Sequence, residues 1–244
     1  MKKIIFMLLV LTLMMGLAAC GGNNNETTPG GNNPDETQNQ GGATGQTQLE
    51  TKPQQSGFSG EITEELLRSW PETPATEFSY EKSLNYEGIR VETYMGSDNI
   101  VVIPAEIDGE PVVEVASYCF ANDSSIRGVV IPSTVVEIRE LFGNNKCVEM
   151  VIAEGVEIIG YGSFHNCTAL RKVIISDNIT VIESMSFSGC ESLEELHIPA
   201  TLTEMDSTAA IMSFAACPNL TIYGEAGSYI ETVANQQGIP FVAE

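Results

Sequence analysis

The chain has 244 residues with 33 acidic and 11 lysine or arginine side chains, which gives a formal net charge of −22. Nucleic-acid binding needs lysine and arginine opposite phosphates, and this charge balance argues against it. The length suits one domain with appendages.

The N-terminus has the pattern of an export signal. Residues 1–19 combine Lys2 and Lys3 with an apolar stretch and small residues before Cys20, as in a secretory signal peptide. The apolar stretch is short for a membrane span, which needs about 20 residues. The ending Leu17-Ala-Ala-Cys20 resembles the lipobox of bacterial lipoproteins, which implies cleavage before Cys20 and lipidation of Cys20. The alternative is an ordinary secreted protein with a cysteine at this point.

The next segment is polar and of low complexity. Residues 21–56 are rich in Gly, Asn, Gln and Thr, with Ala43 and Leu49 as their apolar side chains. Such a composition cannot bury enough apolar surface to offset the entropy of ordering the chain. The sequence therefore predicts a disordered tether over residues 20–56, carrying lipid at Cys20.

Residues 57–99 are predicted to form an N-terminal cap made of a helix and a hairpin. Apolar side chains at helical spacing predict a helix over 61–70, and Pro71 ends it. We expect Trp70 to pack this helix onto the first coil of the repeat region, and the alternative is an exposed stacking site for a ligand. Alternation on both sides of Gly88 predicts the hairpin.

Between residues 100 and 220 one pattern recurs five times. Each copy has a β-branched stretch, a turn, a second apolar pair, and then Phe with Cys, which predicts a strand, an extended piece and a helical or 3₁₀ return. One column of isoleucines has steps of 28, 21, 23 and 23 residues: Ile103, Ile131, Ile152, Ile175 and Ile198. A period of roughly 20 to 30 residues indicates a solenoid of stacked coils.

The sequence pattern of the repeat indicates a family. The pattern Val-x-Ile-Pro-x-x-Val-x-x-Ile, followed by Phe-x-x-Cys-x-x-Leu, is best preserved in the copies that begin at Met150 and Val173. It resembles the BspA-type (Treponema-type) leucine-rich repeat of bacterial surface proteins. The resemblance implies a leucine-rich-repeat solenoid, β-rich with short helical or 3₁₀ returns and capped at both ends. The first copy departs from the pattern with Asp123 at the cysteine position, and the last carries an insertion at 207–210.

Residues 221–244 are predicted to form a C-terminal cap. Ser228-Tyr-Ile-Glu231 is a capping box for a short helix, and Gly238 followed by Pro240 ends that helix. Phe241 and Val242 are expected to add a final strand.

The cysteines and histidines are expected to be structural. Five cysteines remain after Cys20, and their spacing follows the repeat rather than a metal-binding pattern: Cys119, Cys147, Cys167, Cys190 and Cys217. We expect them to fill the interior as small apolar side chains, with a Cys167–Cys190 disulfide as the alternative. His165 and His197 accompany no nucleophile motif. The sequence therefore predicts a protein that is not an enzyme and that has no cofactor or metal.

A candidate partner-binding column runs along the repeats. Side chains alternate along a strand, so the middle residue of each first strand is expected to face outward, beside Glu114, Glu137, Glu157 and Glu204. These residues are Val102, Val130, Val151, Ile174 and His197. An exposed apolar stripe with a polar rim suits docking of a partner, and the alternative is that β-branched residues are present for sheet formation alone.

The predicted function is binding. We expect a monomeric, lipid-anchored protein on the extracytoplasmic side of a bacterial envelope, with the membrane contacted through the lipid alone. The family resemblance implies adhesion to an unidentified protein of a host, a neighbouring cell or the matrix. The alternatives are a lipoprotein that captures a sugar or peptide, and a structural spacer of the envelope.

Overall fold

The computed structural model of the chain describes residues 58–175, 177–205 and 212–244. The predicted signal peptide (1–19), Cys20, the tether (20–56) and the insertion at 207–210 lie outside the described residues. Two α-helices are described, α1 (Glu64–Ser69) and α2 (Tyr229–Gln237), with a 3₁₀ turn at Ala75–Glu77.

The strands are short, and most of them come from the repeat region. In chain order they are β1 (Phe78–Lys82), β2 (Ile89–Tyr94), β3 (Ile100–Val102), β4 (Glu106–Ile107), β5 (Glu110–Val115), β6 (Gly128–Ile131), β7 (Glu137–Ile138), β8 (Met150–Ala153), β9 (Ile158–Ile159), β10 (Lys172–Ile175), β11 (Val181–Ile182), β12 (Glu195–His197), β13 (Thr221–Gly224) and β14 (Phe241–Ala243).

These strands form two sheets on which the coils stack. Sheet I has the order β14-β13-β12-β10-β8-β6-β3, and all of its neighbours are parallel. Sheet II has the order β1-β2-β5-β7-β9-β11, with β4 beside β5. The coils that begin with β3, β6, β8 and β10 each contribute a second strand to sheet II, namely β5, β7, β9 and β11, and the coil of β12 adds a single bridge at Glu204. This arrangement confirms the predicted leucine-rich-repeat solenoid.

A column of phenylalanines fills the interior between the sheets. Consecutive rings lie 5.4, 5.2, 5.1 and 6.0 Å apart and are tilted by 20° or less, in the order Phe120, Phe142, Phe164, Phe187 and Phe214. The first four rings are fully buried. Because every coil places the same ring over its neighbour, the apolar surface that one coil cannot bury alone is covered by the next.

The returns that carry these rings are chains of turns rather than continuous helices. The backbone N–H of Cys167 bonds to the carbonyl of Phe164, and that of Leu170 bonds to the carbonyl of Cys167, which is the i→i−3 pattern of a 3₁₀ turn. The turns also bond between coils, since the N–H of Phe164 donates to the carbonyl of Ser186 at 2.8 Å. The predicted 3₁₀ character is therefore present, together with a third hydrogen-bonded ladder.

One coil has a different register from the one predicted. Cross-strand pairing places Val151 opposite Val129 and Val173, and Ile152 opposite Val130. Val151 is thus an inward residue, fully buried, and Ala153 takes the position predicted for Ile152. The cause is a turn after β8 that is one residue shorter than the turns after β6 and β10, because Val156 follows Ala153 by three residues.

The cysteine column also begins later than predicted. In the coil of Phe142 the third residue after the ring is Asn145, and Cys147 lies two residues further on, only partly buried. Asn145 is fully buried, its side-chain oxygen accepts from the N–H groups of Cys147 and Val148, and its amide nitrogen donates to the carbonyl of Phe120 at 2.9 Å. The side chain of Asn145 therefore makes hydrogen bonds to the backbone at the turn position that a cysteine occupies in later coils.

The N-terminal segment contains both predicted elements, but its helix lies in an unpredicted place. Strands β1 and β2 form the expected antiparallel hairpin, and β2 continues sheet II by pairing with β5. Helix α1 begins at the N-cap Thr63, whose hydroxyl accepts from the N–H of Leu66. It packs on the outward face of sheet I over β6 and β8.

The C-terminal segment contains the helix and the final strand that the sequence predicts. Ser228 is the N-cap of α2 and accepts from the N–H of Glu231 at 3.4 Å, while Gly238 ends the helix in a left-handed conformation with φ 69°. Strand β14 follows and pairs with β13. Ile230, Val233 and Ala234 are the buried face of the helix.

Candidate docking surface on sheet I

The outward face of sheet I has one continuous column of side chains. Strand pairing aligns its members in the order Val102, Val130, Ile152, Ile174, His197, Tyr223 and Val242. A second column runs parallel to it and contains Ile100, Gly128, Met150, Lys172, Glu195 and Thr221. The two columns change from apolar to polar and aromatic towards the C-terminal end of the sheet.

The N-terminal half of this face is covered by α1. Leu67 is almost fully buried, and with Ile62 it forms a second apolar cluster outside the main core, whose sheet members are Ile100, Val130, Met150 and Ile152. Phe58 and Trp70 close the cluster with an edge-to-face contact at 5.7 Å. Trp70 therefore packs against the sheet face of several coils, where packing on the first coil alone was expected.

The edge of the sheet beside this helix is closed by a single residue. Thr73 is buried, its N–H donates to the carbonyl of Val102 at 2.9 Å, and its hydroxyl accepts from the N–H of Val102 at 3.1 Å. Thr73 thus satisfies the outer backbone groups of β3 at Val102, which would otherwise be open to another strand.

The five residues predicted to form an exposed stripe have three different environments. Val151 points into the core, and Val130 lies under α1 with 8% of its surface exposed. Val102 and Ile174 are partly buried at the border of the α1 cluster. His197 belongs neither to that cluster nor to the main core. The expectation of one long exposed stripe is therefore wrong, because the helix that was predicted to cap the end of the solenoid covers the outward face of β6 and β8.

The acidic residues predicted to rim the stripe also lie elsewhere. Glu114 and Glu137 pair across β5 and β7 in sheet II. Their neighbours include Arg90, whose guanidinium lies 3.8 Å from Glu114, and Arg139, whose guanidinium lies 2.6 Å from Glu137. These carboxylates balance the basic residues of sheet II and do not border the column of sheet I.

The C-terminal half of the face has a column of two partly exposed rings and one exposed valine, which we call the platform: His197, Tyr223 and Val242. The rings of His197 and Tyr223 stack at 4.7 Å with 12° between their planes. Val242, the next member of the column, has 44% of its surface exposed. Glu244 reaches back over β13, and its Oε1 lies 2.8 Å from Nδ1 of His197. The platform was missed apart from His197, because its other members come from the segment predicted as a cap.

The platform is bordered by carboxylates. Oε2 of Glu195 lies 3.6 Å from Nε2 of His197 and 2.9 Å from Nζ of Lys172. The hydrogen bond from Lys172 lowers the pKa of Glu195, against an opposing effect of burial. A hollow of about 470 Å³ opens beside the platform and has Asp177, Glu225 and Glu244 in its lining. The site is therefore a shallow, anionic surface beside two stacked, partly exposed rings.

A consistent spacing in the sequence would have located part of this surface. The inward residue of a sheet I strand follows the preceding apolar turn residue by three positions in four coils: Ile126 to Val129, Val148 to Val151, Leu170 to Val173 and Leu193 to Leu196. That count gives the correct register for Val151. It fails at Leu220, where the inward Ile222 follows by two positions, so the strand that carries Tyr223 did not fit the pattern.

The cysteines form a bonded column in the interior. Cys167 and Cys190 are fully buried, as predicted, and all five described cysteines are free thiols. Each thiol of Cys167, Cys190 and Cys217 donates to the carbonyl of the phenylalanine one coil earlier, at 3.1 to 3.3 Å. Burial raises the pKa of Cys167 to about 12 and that of Cys217 to about 11. These thiols are set up to pack and to bond the turns.

His165 and His197 lie in separate parts of the coils. His165 is in a return turn and partly buried, whereas His197 is on sheet I. Within residues 58–175, 177–205 and 212–244 no cluster of His, Cys, Asp or Glu has the make-up of a metal site. The same residues contain no helix long and apolar enough to span a membrane.

The fold and its column of buried rings define a parallel solenoid protein of the leucine-rich-repeat class. Residues 98–223 match the family described as the BspA type leucine rich repeat region, in six copies. The chain belongs to this family. The sequence pattern gave five copies, one fewer than the family match.

Solved structures of bacterial leucine-rich-repeat proteins are similar to this chain. A leucine-rich repeat protein of T. pallidum is 31% identical, with a TM-score of 0.56 over 63% of this chain and 71% of that one. A leucine-rich cell surface protein of Faecalibacterium prausnitzii is 25% identical, with a TM-score of 0.52 over 63% of this chain and 39% of that one. A comparison with curated proteins finds no match.

Proposed function

We propose that this protein is anchored to a bacterial envelope by lipid at Cys20 and uses its leucine-rich repeats to bind a partner protein outside the cell. The observation that carries the binding proposal is the division of the sheet I face. One half is filled by α1, whose apolar side chains occupy the columns, and the other half has the partly exposed His197–Tyr223 stack and the exposed Val242. A surface that already holds an amphipathic helix on one half has the geometry for a second segment on the other.

Two further facts support the surface location. The sequence Leu17-Ala-Ala-Cys20 resembles a lipobox and is followed by a long polar segment. One of the similar solved structures is of a leucine-rich cell surface protein. Residues 21–56 have the composition of a tether, and we propose that they link the anchor to the repeats.

The anchor is tested by lipid labelling. Cells that express the full chain are fed a radioactive or clickable fatty acid, and the membrane fraction is compared between the parent and Cys20→Ala. The proposal expects labelled protein in the membrane for the parent and an unlabelled, unprocessed chain for the variant. A parent protein that is secreted without label would overturn the anchor and leave the binding proposal standing.

Binding is tested by capture of partner proteins with the full chain. The informative variant carries His197→Ser, Tyr223→Ser and Val242→Ser, which removes the platform from the outer face. The control carries Leu84→Ser, Tyr118→Ser and Tyr161→Ser, three exposed apolar or aromatic residues outside sheet I. Circular dichroism must show both variants folded. A partner captured by the parent and the control but lost from the platform variant supports the proposal, and a partner captured equally by all three places binding elsewhere.

A further inference from the structure

We infer that the platform on sheet I docks a positively charged, arginine-containing segment of the partner protein. This inference rests on the proposed binding function and names the class of partner for the same surface. It follows from the charge of the C-terminal coils, and from the accessibility of two carboxylates at the border of the platform, Glu195 and Glu244, which suit the forked hydrogen bonds of a guanidinium.

The C-terminal coils have an extreme charge. Residues 173–244 contain ten acidic side chains and neither lysine nor arginine. The cation nearest in sequence is Lys172, which is already paired with Glu195 at 2.9 Å and lies 3.9 Å from Glu64. Arg139 and Arg171 of the preceding coils pair with Glu183 and Glu194 at 2.6 and 3.4 Å, whereas Arg68 and Arg127 pair with Glu154 and Glu149, outside these coils. The negative potential of the C-terminal coils is thus open to a cation supplied by another molecule.

The same charge argues against other occupants. A second copy of the chain would bring the same negative surface to the platform, and the phosphates of a nucleic acid would be repelled in the same way. A basic segment of a different protein gains from the field and is steered by it. Charge complementarity therefore selects a cationic partner.

The carboxylates at the border favour arginine over lysine. The His197 and Tyr223 rings stack face to face, tilted by 12°, so the faces that they turn towards each other are closed to a ligand, and Val242 extends the column over β14 with 44% exposure. A guanidinium is planar and its N–H groups bond a carboxylate in a forked geometry, which a lysine ammonium cannot do. Apolar residues of the same segment can contact Val242.

The two carboxylates are within reach of such a group. The side chain of Glu244 is 50% exposed and that of Glu195 is 42% exposed, on opposite sides of the imidazole of His197. Neither carboxylate is paired with an arginine. Glu195 contacts Lys172 and His197, whereas Glu244 contacts His197. An incoming guanidinium can therefore take a carboxylate from the histidine or share it.

The test is titration of the full chain with two peptides in about 0.15 M salt, where the Debye length of about 8 Å screens remote charges. The probes are Arg-Val-Arg-Val-Arg and Lys-Val-Lys-Val-Lys, both acetylated and amidated, so that charge and length are matched. The carboxylate variant is Glu195→Gln with Glu244→Gln. The control is Glu191→Gln with Glu204→Gln, which changes the net charge equally at exposed residues of a return turn and of the bridge beside sheet II.

We expect saturable binding of one arginine peptide per chain, weaker binding of the lysine peptide, and a loss of roughly five- to tenfold in affinity for the carboxylate variant. The control is expected to change affinity by less than about twofold. Equal losses in both variants, equal binding of the two peptides, or no binding would each overturn it. A natural partner captured through the platform but lacking a basic segment would overturn this inference alone and leave the proposed function intact.

Discussion

Leu67 of α1 lies directly over Gly128 of β6. A Cβ atom at position 128 would be 2.6 Å from Cδ2 of Leu67 and 3.4 Å from Cγ2 of Ile62. Gly128 stands in the outward column between Ile100 and Met150, so the missing side chain leaves the space that the helix fills. One glycine thus decides that half of the sheet face is closed within the chain.

Enlarging Gly128 is expected to lift α1 from the sheet. We predict that Gly128→Val displaces the helix, because Leu67 can relieve a single methyl group by a rotamer change but not a branched side chain. Trp70 is the single tryptophan of the chain, so its emission should shift to longer wavelength, and amide exchange in α1 should accelerate. Thr221→Val, in the same column beyond the α1 cluster, is the control and should change neither signal. An unchanged Trp70 spectrum in Gly128→Val would contradict this packing.

The register of β8 gives a second prediction. Because Val151 is fully buried and Ile174 is partly exposed, Val151→Ala should lower the free energy of unfolding by about 1.5–3 kcal/mol and Ile174→Ala by about 1 kcal/mol or less. Denaturant unfolding of both variants measures the difference. The reverse order would restore the register in which Val151 faces outward.

The phenylalanine column gives a third prediction. Phe164 stacks on Phe142 at 5.2 Å and on Phe187 at 5.1 Å and is fully buried. Phe164→Ala leaves a cavity between two coils and should cost about 3–5 kcal/mol. Tyr161→Ala removes a ring from the same return, but that ring is 47% exposed, so its effect should stay within about 0.5 kcal/mol. Similar losses in the two variants would argue against a stacked interior.

The thiol column gives a pH dependence. Burial raises the pKa of Cys167 from 9.0 to about 12, so the folded state keeps the proton that the unfolded chain releases. Stability from this group is therefore complete below pH 9 and falls as the pH rises towards 12. In urea unfolding at a series of pH values, Cys167→Ser should show a shallower decline than the parent. Identical slopes would mean that Cys167 titrates alike in both states.

Reactivity tests the same column kinetically. The thiolate is the reactive form, so iodoacetamide at about pH 8 should leave Cys167 and Cys190 unmodified in the folded chain and modify them in urea. Peptide mapping by mass spectrometry identifies the sites. Rapid labelling of either cysteine in the folded protein would contradict its burial.

The sequence was sufficient for the architecture because the determinants are local and repeated. The Phe-x-x-Cys-x-x-Leu spacing fixes the return of the coils of Phe164, Phe187 and Phe214, and the capping box at Ser228 fixes α2, so these elements were predicted correctly. Val151 was misplaced because one turn is a residue shorter, and in a strand a shift by one residue exchanges the two faces.

The candidate site was harder to predict because it depends on contacts between distant residues. The space above Gly128 has meaning only once Leu67 is known to fill it, and no local pattern links positions 67 and 128. Likewise, Glu244 reaches His197 across β13, and neither position indicates the other in the sequence. What the sequence did show was the charge of residues 173–244, which no cation of their own balances.

The most direct test of binding at the uncovered half of sheet I is photocrosslinking of the full chain on cells that display it. A photoreactive phenylalanine analogue replaces Tyr223 or, as a control, the exposed Tyr118. We predict a discrete crosslinked partner protein from position 223 and none from position 118. A partner crosslinked from 118 and absent from 223 would contradict the assignment of binding to the uncovered half of sheet I.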